Sequence, residues 1–335
     1  MANLLKPRVT YAPFEYPKAY DFFQKQQLAH WVPWELQMGS DIDDWKMKLS
    51  ETDKHVIGSI LKGFTQTEIF IQDYWSNKVA NWFKKPEIQM MANTFAGFES
   101  IHAAGYSYLE ESLGIQNYEA FMHDPASKAK IDRLIETKGK TKREIALSLA
   151  IFSGFNEGVN LFSSFAVLMS FAQRNMLKGL GQIVSWSVKD ESLHSDAGCW
   201  LFREFIAENP ELFDDTLKKE IYEAARLTVE LEDTFIETAF EKGDLPNLSK
   251  HDLKNYIRHR ANTKLQDLGL KSNWKNLDKD ALQRLEWFSL LSGGVELQDF
   301  FAQKSTAYSK GLADFEGIWD SDQHQVESEK ELSHG

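Results

Sequence analysis

Apolar residues along this chain recur every three to four positions over long stretches instead of alternating, which is the spacing of helices and not of strands. The segments Asp53 to Lys78, Ile88 to Ser112, Lys142 to Gln173, Met176 to Ala207 and Glu211 to Lys242 all carry it. They are apolar on more than one face, which predicts the inner helices of a bundle. Only eight prolines punctuate the chain (Pro7, Pro13, Pro17, Pro33, Pro86, Pro125, Pro210 and Pro246), and the gaps between them permit long helices. No strand-rich stretch and no internal repeat is visible. The pattern stops near Gly311. Beyond it Asp314, Glu316, Asp320, Asp322, Glu327, Glu329 and Glu331 stand among few large apolar residues, a composition that supports no core. The expected organisation is one all-helical domain over 1–310 and a flexible acidic tail over 311–335 that carries Phe315 and Trp319.

Composition narrows the function. With 335 residues, 42% hydrophobic and 13% aromatic, the chain has material for a large core. A formal net charge of -12 repels phosphate backbones and anionic lipid, so nucleic acid polymers and membrane surfaces are poor partners. No stretch approaches about 18 uninterrupted apolar residues, and Met1 to Val9 lack the apolar centre of a signal peptide. A single cysteine, Cys199, excludes an intrachain disulfide and fits a reducing compartment. A cytoplasmic location is the expectation.

The chemistry lies in two Glu-x-x-His segments, Glu99-Ser-Ile-His102 and Glu191-Ser-Leu-His194. Residues three apart share a helical face, so each segment aims a carboxylate and an imidazole at one point. Spacing alone is weak evidence: a third pair, Glu331 to His334, falls in the tail by coincidence. The first two differ in their surroundings. Phe95, Phe98, Ile101, Ile183, Val184, Trp186 and Leu193 flank them, and burying ionisable groups among such residues is costly without a compensating cation. Two more carboxylates, Glu68 and Glu157, sit in equally apolar helices. The order Glu68, then Glu99 and His102, then Glu157, then Glu191 and His194 is the plan of a dinuclear carboxylate site inside a four-helix core. Its hard, oxygen-rich donors favour manganese or iron over a thiolate-bound zinc.

On these residues the chain resembles the small subunit of class I ribonucleotide reductase, from about Phe14 to Tyr308. Tyr106, four residues after His102, resembles the redox tyrosine of that family. Lys189-Asp190-Glu191-Ser192-Leu193-His194 resembles its second metal-binding segment, Trp31-Val32-Pro33-Trp34-Glu35 its tryptophan-x-proline-x-glutamate motif, and Asp299-Phe300-Phe301 with Tyr308 its last helix and interface tyrosine. The resemblance implies a ferritin-like fold and a homodimer. It implies an oxidised metal centre that generates and stores the oxidising equivalent passed to a cysteine of a separate large subunit, where ribonucleotides become deoxyribonucleotides. It further implies that Asp190 bonds both His102 and Trp31, giving a relay toward Tyr308. The acidic tail is the expected docking segment, and an activating flavoprotein is a further candidate partner.

One position departs from the common pattern. The first ligand is aspartate in many iron and tyrosyl-radical members, and here it is Glu68. Glutamate there resembles branches in which manganese takes part and the metals themselves store the oxidising equivalent. Ser187 adds a hydroxyl on the face of Glu191, near the expected pocket of Tyr106, while Leu161 and Phe165 are expected to keep that pocket apolar. The favoured centre is therefore dimanganese with Tyr106 a bystander; di-iron with a Tyr106 radical, or a mixed Mn/Fe pair, are the alternatives. Two rival functions are a ferritin-like dimetal oxidase or metal store that hands no radical to a partner, and a metal-free helical interaction protein. The first needs neither Trp31, Asp190, Tyr308 nor the tail. The second leaves four buried carboxylates without a cation.

Overall fold

Short polar motifs in the sequence set where the helices start. Ser50 accepts the N–H of Asp53 at 3.1 Å while the Asp53 carboxylate accepts the N–H of Ser50 at 3.0 Å. The same reciprocal cap recurs at Thr141 with Glu144 and at Ser249 with Asp252, satisfying N–H groups that have no partner in the first turn. In the computed structural model the described residues are 3–115 and 139–292 together with 125, 128 and 129, less the side chains of Lys62, Thr65, Gln66, Leu291 and Ser292. Tyr308, Asp299-Phe300-Phe301, the 310/311 boundary and the acidic tail lie outside them.

Helix α1 covers Pro17–Leu28, and a single 3-10 turn, Pro33–Glu35, leads to α2, Gly39–Met47. Helix α3, Glu51–Asp73, runs on through a π-helical turn, Tyr74–Val79, to Trp82, and is followed by α4, Pro86–Leu113. Helix α5, Lys142–Ile151, passes into a second π turn, Phe152–Asn156, before α6, Phe162–Gln173, and α7, Lys178–Glu208. The chain then forms α8, Asp215–Ala239, α9, Lys250–Asp267, α10, Lys279–Arg284, and α11, Glu286–Ser292. Among the described residues the one β feature is a bridge between Leu245 and Leu248. The stretch Lys142 to Gln173, expected as one helix, is thus broken in its middle, and that from Asp53 bulges at Tyr74.

Position in the bundle follows from the apolar pattern. Every residue of α6 from Phe162 to Phe171 is buried, as a helix without a polar face requires. Helix α8 instead buries one stripe, including Leu217, Ile221, Ala225, Val229 and Ile236, and turns most of its charges outward, Glu232 excepted, which is buried and accepts from Ser163 at 2.5 Å. Helix α3 packs on α4, and α7 packs on α6 and α5, so the four segments that carry the candidate donors face a common interior. Arg174, just past α6, pairs with Asp53 at 2.6 Å and fastens that end to the start of α3.

Ahead of α1 the chain is pinned to the bundle at both ends of its path. Buried Glu87, in the first turn of α4, accepts the N–H groups of Glu15 at 2.9 Å and Tyr16 at 3.1 Å and pairs with Arg8. Glu208, at the end of α7, accepts the N–H of Leu4 at 2.8 Å and the Tyr16 hydroxyl. This arm delivers α1 and the segment after it to the interior. No described helix is long and apolar enough to cross a membrane.

Candidate metal centre

Helical spacing brings the site together. On α4 the three-residue step from Glu99 to His102 and the four-residue step to Tyr106 stack all three on one face; Ser187, Glu191 and His194 repeat this on α7. Glu68 comes from α3 and Glu157 from the irregular segment after α5. All six candidate donors are fully buried. They form two overlapping groups, Glu68, Glu99, His102 and Glu191, and Glu99, Glu157, Glu191 and His194, each with donor atoms within 4.8 Å of one another. Glu99 and Glu191 belong to both and could each serve either half of a dinuclear site.

Several of these atoms are close without being aimed at one another. His194 Nδ1 lies 2.7 Å from Glu99 Oε1 and His102 Nδ1 lies 3.1 Å from Glu191 Oε1, yet neither pair has hydrogen-bond geometry. Both oxygens of Glu68, both of Glu191 and Oε2 of Glu157 are buried with no hydrogen-bond partner. Buried polar atoms are ordinarily paired. His102 Nδ1 and Glu99 Oε2 hydrogen-bond at 3.0 Å, but the unpartnered oxygens of Glu68, Glu157 and Glu191 and Nδ1 of His194 are what a cation among them satisfies, and the residues fit a dinuclear metal site.

The electrostatics agree. Burial first, and then the charges of Glu191 and Glu99, hold the Glu68 carboxyl well above the usual range. Burial also raises Glu157, and burial with the neighbouring Glu157 charge raises Glu191 to about 7. For the histidines burial opposes the charged form, but the surrounding carboxylates, Glu99 foremost, override it: His194 is raised to about 10, and His102 well above its ordinary value. Without a cation the cluster holds protons in its place.

The far nitrogens of both imidazoles are held. His102 Nε2 lies 3.1 Å from Asp190 Oδ2, which also accepts the Trp31 indole N–H at 2.8 Å. The Trp31 ring stacks on that of His102 with centroids 5.8 Å apart. Gly105 makes room for it: a β-carbon there would lie 3.2 Å from Trp31 Cη2 and 3.3 Å from Ile183 Cγ2. His194 Nε2 lies 3.1 Å from Gln26 Oε1, and Gln26 Nε2 donates to Asp190 Oδ1 at 2.8 Å. Gln26 thus joins the two histidines through one aspartate. No motif marks it in advance, because a lone glutamine on α1 becomes informative only when the fold sets it against α7. Trp75 is a second omission; it donates to Glu157 Oε1 at 2.6 Å from the π turn after α3.

Tyr106 is fully buried, and its hydroxyl has no partner with hydrogen-bond geometry. Burial and the nearby Glu68 charge hold its pKa well above the ordinary value, against a weaker polar contact from Ser187. Ser187 is buried and donates to the Ile183 carbonyl at 3.2 Å. The ring facing Tyr106 is Phe64, centroids 4.8 Å apart, and Phe165 packs behind Phe64 at 5.3 Å. Cys199 is buried, and burial pushes its thiol up to about 12, which leaves no reactive thiolate.

Comparison with known proteins places this geometry. Residues 8–280 match the family model described as ribonucleotide reductase, small chain. The chain belongs to this family. A protein of Invertebrate iridescent virus 3, named a probable ribonucleoside-diphosphate reductase small subunit, is 33% identical over 95% of this chain and 88% of its own length. The ribonucleoside-diphosphate reductase subunit beta of Chlamydia pneumoniae is 25% identical, covering 88% of each chain. Among solved structures, the ribonucleotide reductase R2 subunit from Clostridium botulinum superposes with a TM-score of 0.74 at 20% identity, over 83% of this chain and 89% of that one. The dimanganese(II)-NrdF of Streptococcus sanguinis gives 0.73 at 20% identity, over 84% and 99%. The fold is the ferritin-like helical bundle of the reductase small chains, with a carboxylate and histidine cluster buried in its core.

Proposed function

We propose that this chain works as the radical-generating small subunit of a ribonucleoside-diphosphate reductase, holding two manganese ions through Glu68, Glu99, His102, Glu157, Glu191 and His194. The observation that carries the reading is the convergence of buried oxygens of Glu68, Glu99, Glu157 and Glu191 and of His194 Nδ1 that lack hydrogen-bond partners, each histidine held from behind. When bound and oxidised, the metal pair supplies the one-electron oxidant that the reaction on the large subunit requires.

The protein's own part is to hold the donors, exclude water and conduct. Trp31 gives up an electron toward His102, on which it stacks, while its indole proton rests against Asp190 Oδ2. Asp190 thereby balances charge at both the histidine and the tryptophan. Tyr308 and the acidic tail over 311–335 complete the route, the tail docking on the large subunit. By family likeness the working form is a homodimer, and an activating flavoprotein is a further partner.

Manganese is favoured by two side chains. Glu68 has one methylene more than the aspartate common at its position, and Ser187 puts a hydroxyl beside Tyr106 where a long-lived tyrosyl radical needs an inert wall. The test is metal analysis and electron paramagnetic resonance on protein reconstituted separately with Mn(II) and Fe(II), then oxidised and assayed with its large subunit. The expected result is a multiline manganese signal that tracks activity, with turnover surviving Tyr106→Phe. A sharp organic radical that tracks activity only with iron overturns the manganese assignment and gives Tyr106 the central role. Metal uptake without any turnover beside the large subunit turns the reading to a ferritin-like oxidase or store.

A further inference from the structure

The segment that presents Glu157 does not follow helical hydrogen bonding. The Glu157 N–H donates to the Phe152 carbonyl at 3.0 Å, one residue further back than an α-helix requires, and so leaves the Ser153 carbonyl without its α-helical donor. Five residues on, the Phe162 N–H donates to Val159 at 3.1 Å, and the Gly158 carbonyl is bypassed as well. Buried carbonyls need partners. Both find one on another helix: Ser195 Oγ of α7 donates to Ser153 O at 2.6 Å, and Arg260 Nε of α9 donates to Gly158 O at 2.6 Å.

The arginine is itself fixed. Its guanidinium carbon sits 3.3 Å from the centroid of the Phe162 ring, at the start of α6, and the side chain is buried. Gly158 has no room for a side chain: a β-carbon there would lie 2.4 Å from the Gly154 carbonyl, 2.7 Å from Ser195 Oγ and 2.9 Å from Lys264 Cδ. Were the segment to recover regular α-helical bonding, the residues beyond the slip would rotate by roughly 100° about the axis. Glu157 sits at that slip and would turn away from His194 and Glu191.

We propose that Arg260, assisted by Ser195, is a positioning residue: by capturing the carbonyls freed on either side of Glu157, it holds the slipped helix that aims this carboxylate at the metal shared with His194. This rests on the dinuclear reading above for its consequence, though not for the clamp itself. Arg260 touches neither metal nor substrate. It acts through the backbone of Gly158 and the ring of Phe162.

Two measurements on the full chain separate the parts. Amide hydrogen exchange over residues 152–162 of the metal-free protein is expected to quicken about 10-fold or more in Arg260→Met, which keeps bulk but removes the donor, and to recover in part in Arg260→Lys. Unchanged exchange overturns the clamp. Manganese titration of the same proteins is expected to show two ions per wild-type chain. Arg260→Met should retain one at wild-type affinity and weaken the other by about 10-fold or more, the scale of losses behind a metal ligand. Equal weakening of both ions overturns the positioning role and leaves Arg260 a packing residue. If the wild-type chain binds no metal while exchange still quickens, the metal reading fails and the proposal with it, the clamp alone surviving. Ser195→Ala, which deletes one hydroxyl, is expected to give the same selective loss in smaller degree and serves where Arg260→Met does not fold.

Discussion

Gln26 shows how much of this site depends on single side chains away from the donors. It accepts from one histidine and donates to the aspartate that serves the other. Replacing it with leucine strands the far nitrogen of His194 in the interior and removes one donor from Asp190. Gln26→Leu is expected to weaken metal binding by about 10- to 100-fold, read by manganese titration, with helix content unchanged by circular dichroism. The candidate donors Glu99, His102, Glu191 and His194 were legible through their three-residue spacing and Glu68 and Glu157 through their apolar helices, whereas Asp190 was legible only through the family resemblance. Gln26, Trp75 and Phe64 were not, since each is an ordinary residue whose partner lies on another helix. Ser187 was legible by spacing alone, being four residues before Glu191.

At the scale of elements, the five long helices announced themselves through apolar spacing, and their interruptions did not. A π turn uses the same residues as an α-helix and differs only in which carbonyl each N–H selects, so Tyr74–Val79 and Phe152–Asn156 leave no trace in composition. Helix α9 escaped notice for another reason: its buried face includes Arg260 and Lys264, charged residues that break the apolar period. Close contact between elements has its own test at Gly105, where α4 comes against Trp31. Alanine favours a helix by about 1 kcal/mol over glycine, but its methyl group would meet Trp31 and Ile183 at tight distances. Gly105→Ala is expected to leave metal content intact and to lower turnover with the large subunit several-fold, because the indole is pushed off its place between His102 and Asp190. Unchanged turnover would show that the indole tolerates displacement.

For the whole molecule, the buried cluster makes stability depend on pH in a direction set by the metal. Glu191 is raised from 4.5 to about 7, and His194 from 6.5 to about 10. Each group binds its proton more tightly in the folded state, so each stabilises the fold at low pH. The contribution of Glu191 is lost as pH rises through about 7 and that of His194 as it rises through about 10. The metal-free protein is therefore expected to lose thermal stability steadily from pH 6 to 10. A bound metal replaces those protons, so the loaded protein should hold its unfolding temperature across most of that range, and chelation should restore the slope. Scanning calorimetry on both forms checks it; parallel curves would mean the cluster does not govern stability.

The pinned arm before α1 has a consequence for how the molecule is divided. The candidate donors all belong to the bundle, whereas Gln26 and Trp31 arrive on a segment secured by Arg8, Glu15 and Tyr16 through Glu87 and Glu208. The candidate donors are thus supplied by one stretch of chain and part of their backing by another. Trimming or tagging the first residues is expected to loosen the Gln26 brace behind His194 and the Trp31 contact together, so a preparation clipped there would grip its metals less tightly and fail as an electrical contact at the same time.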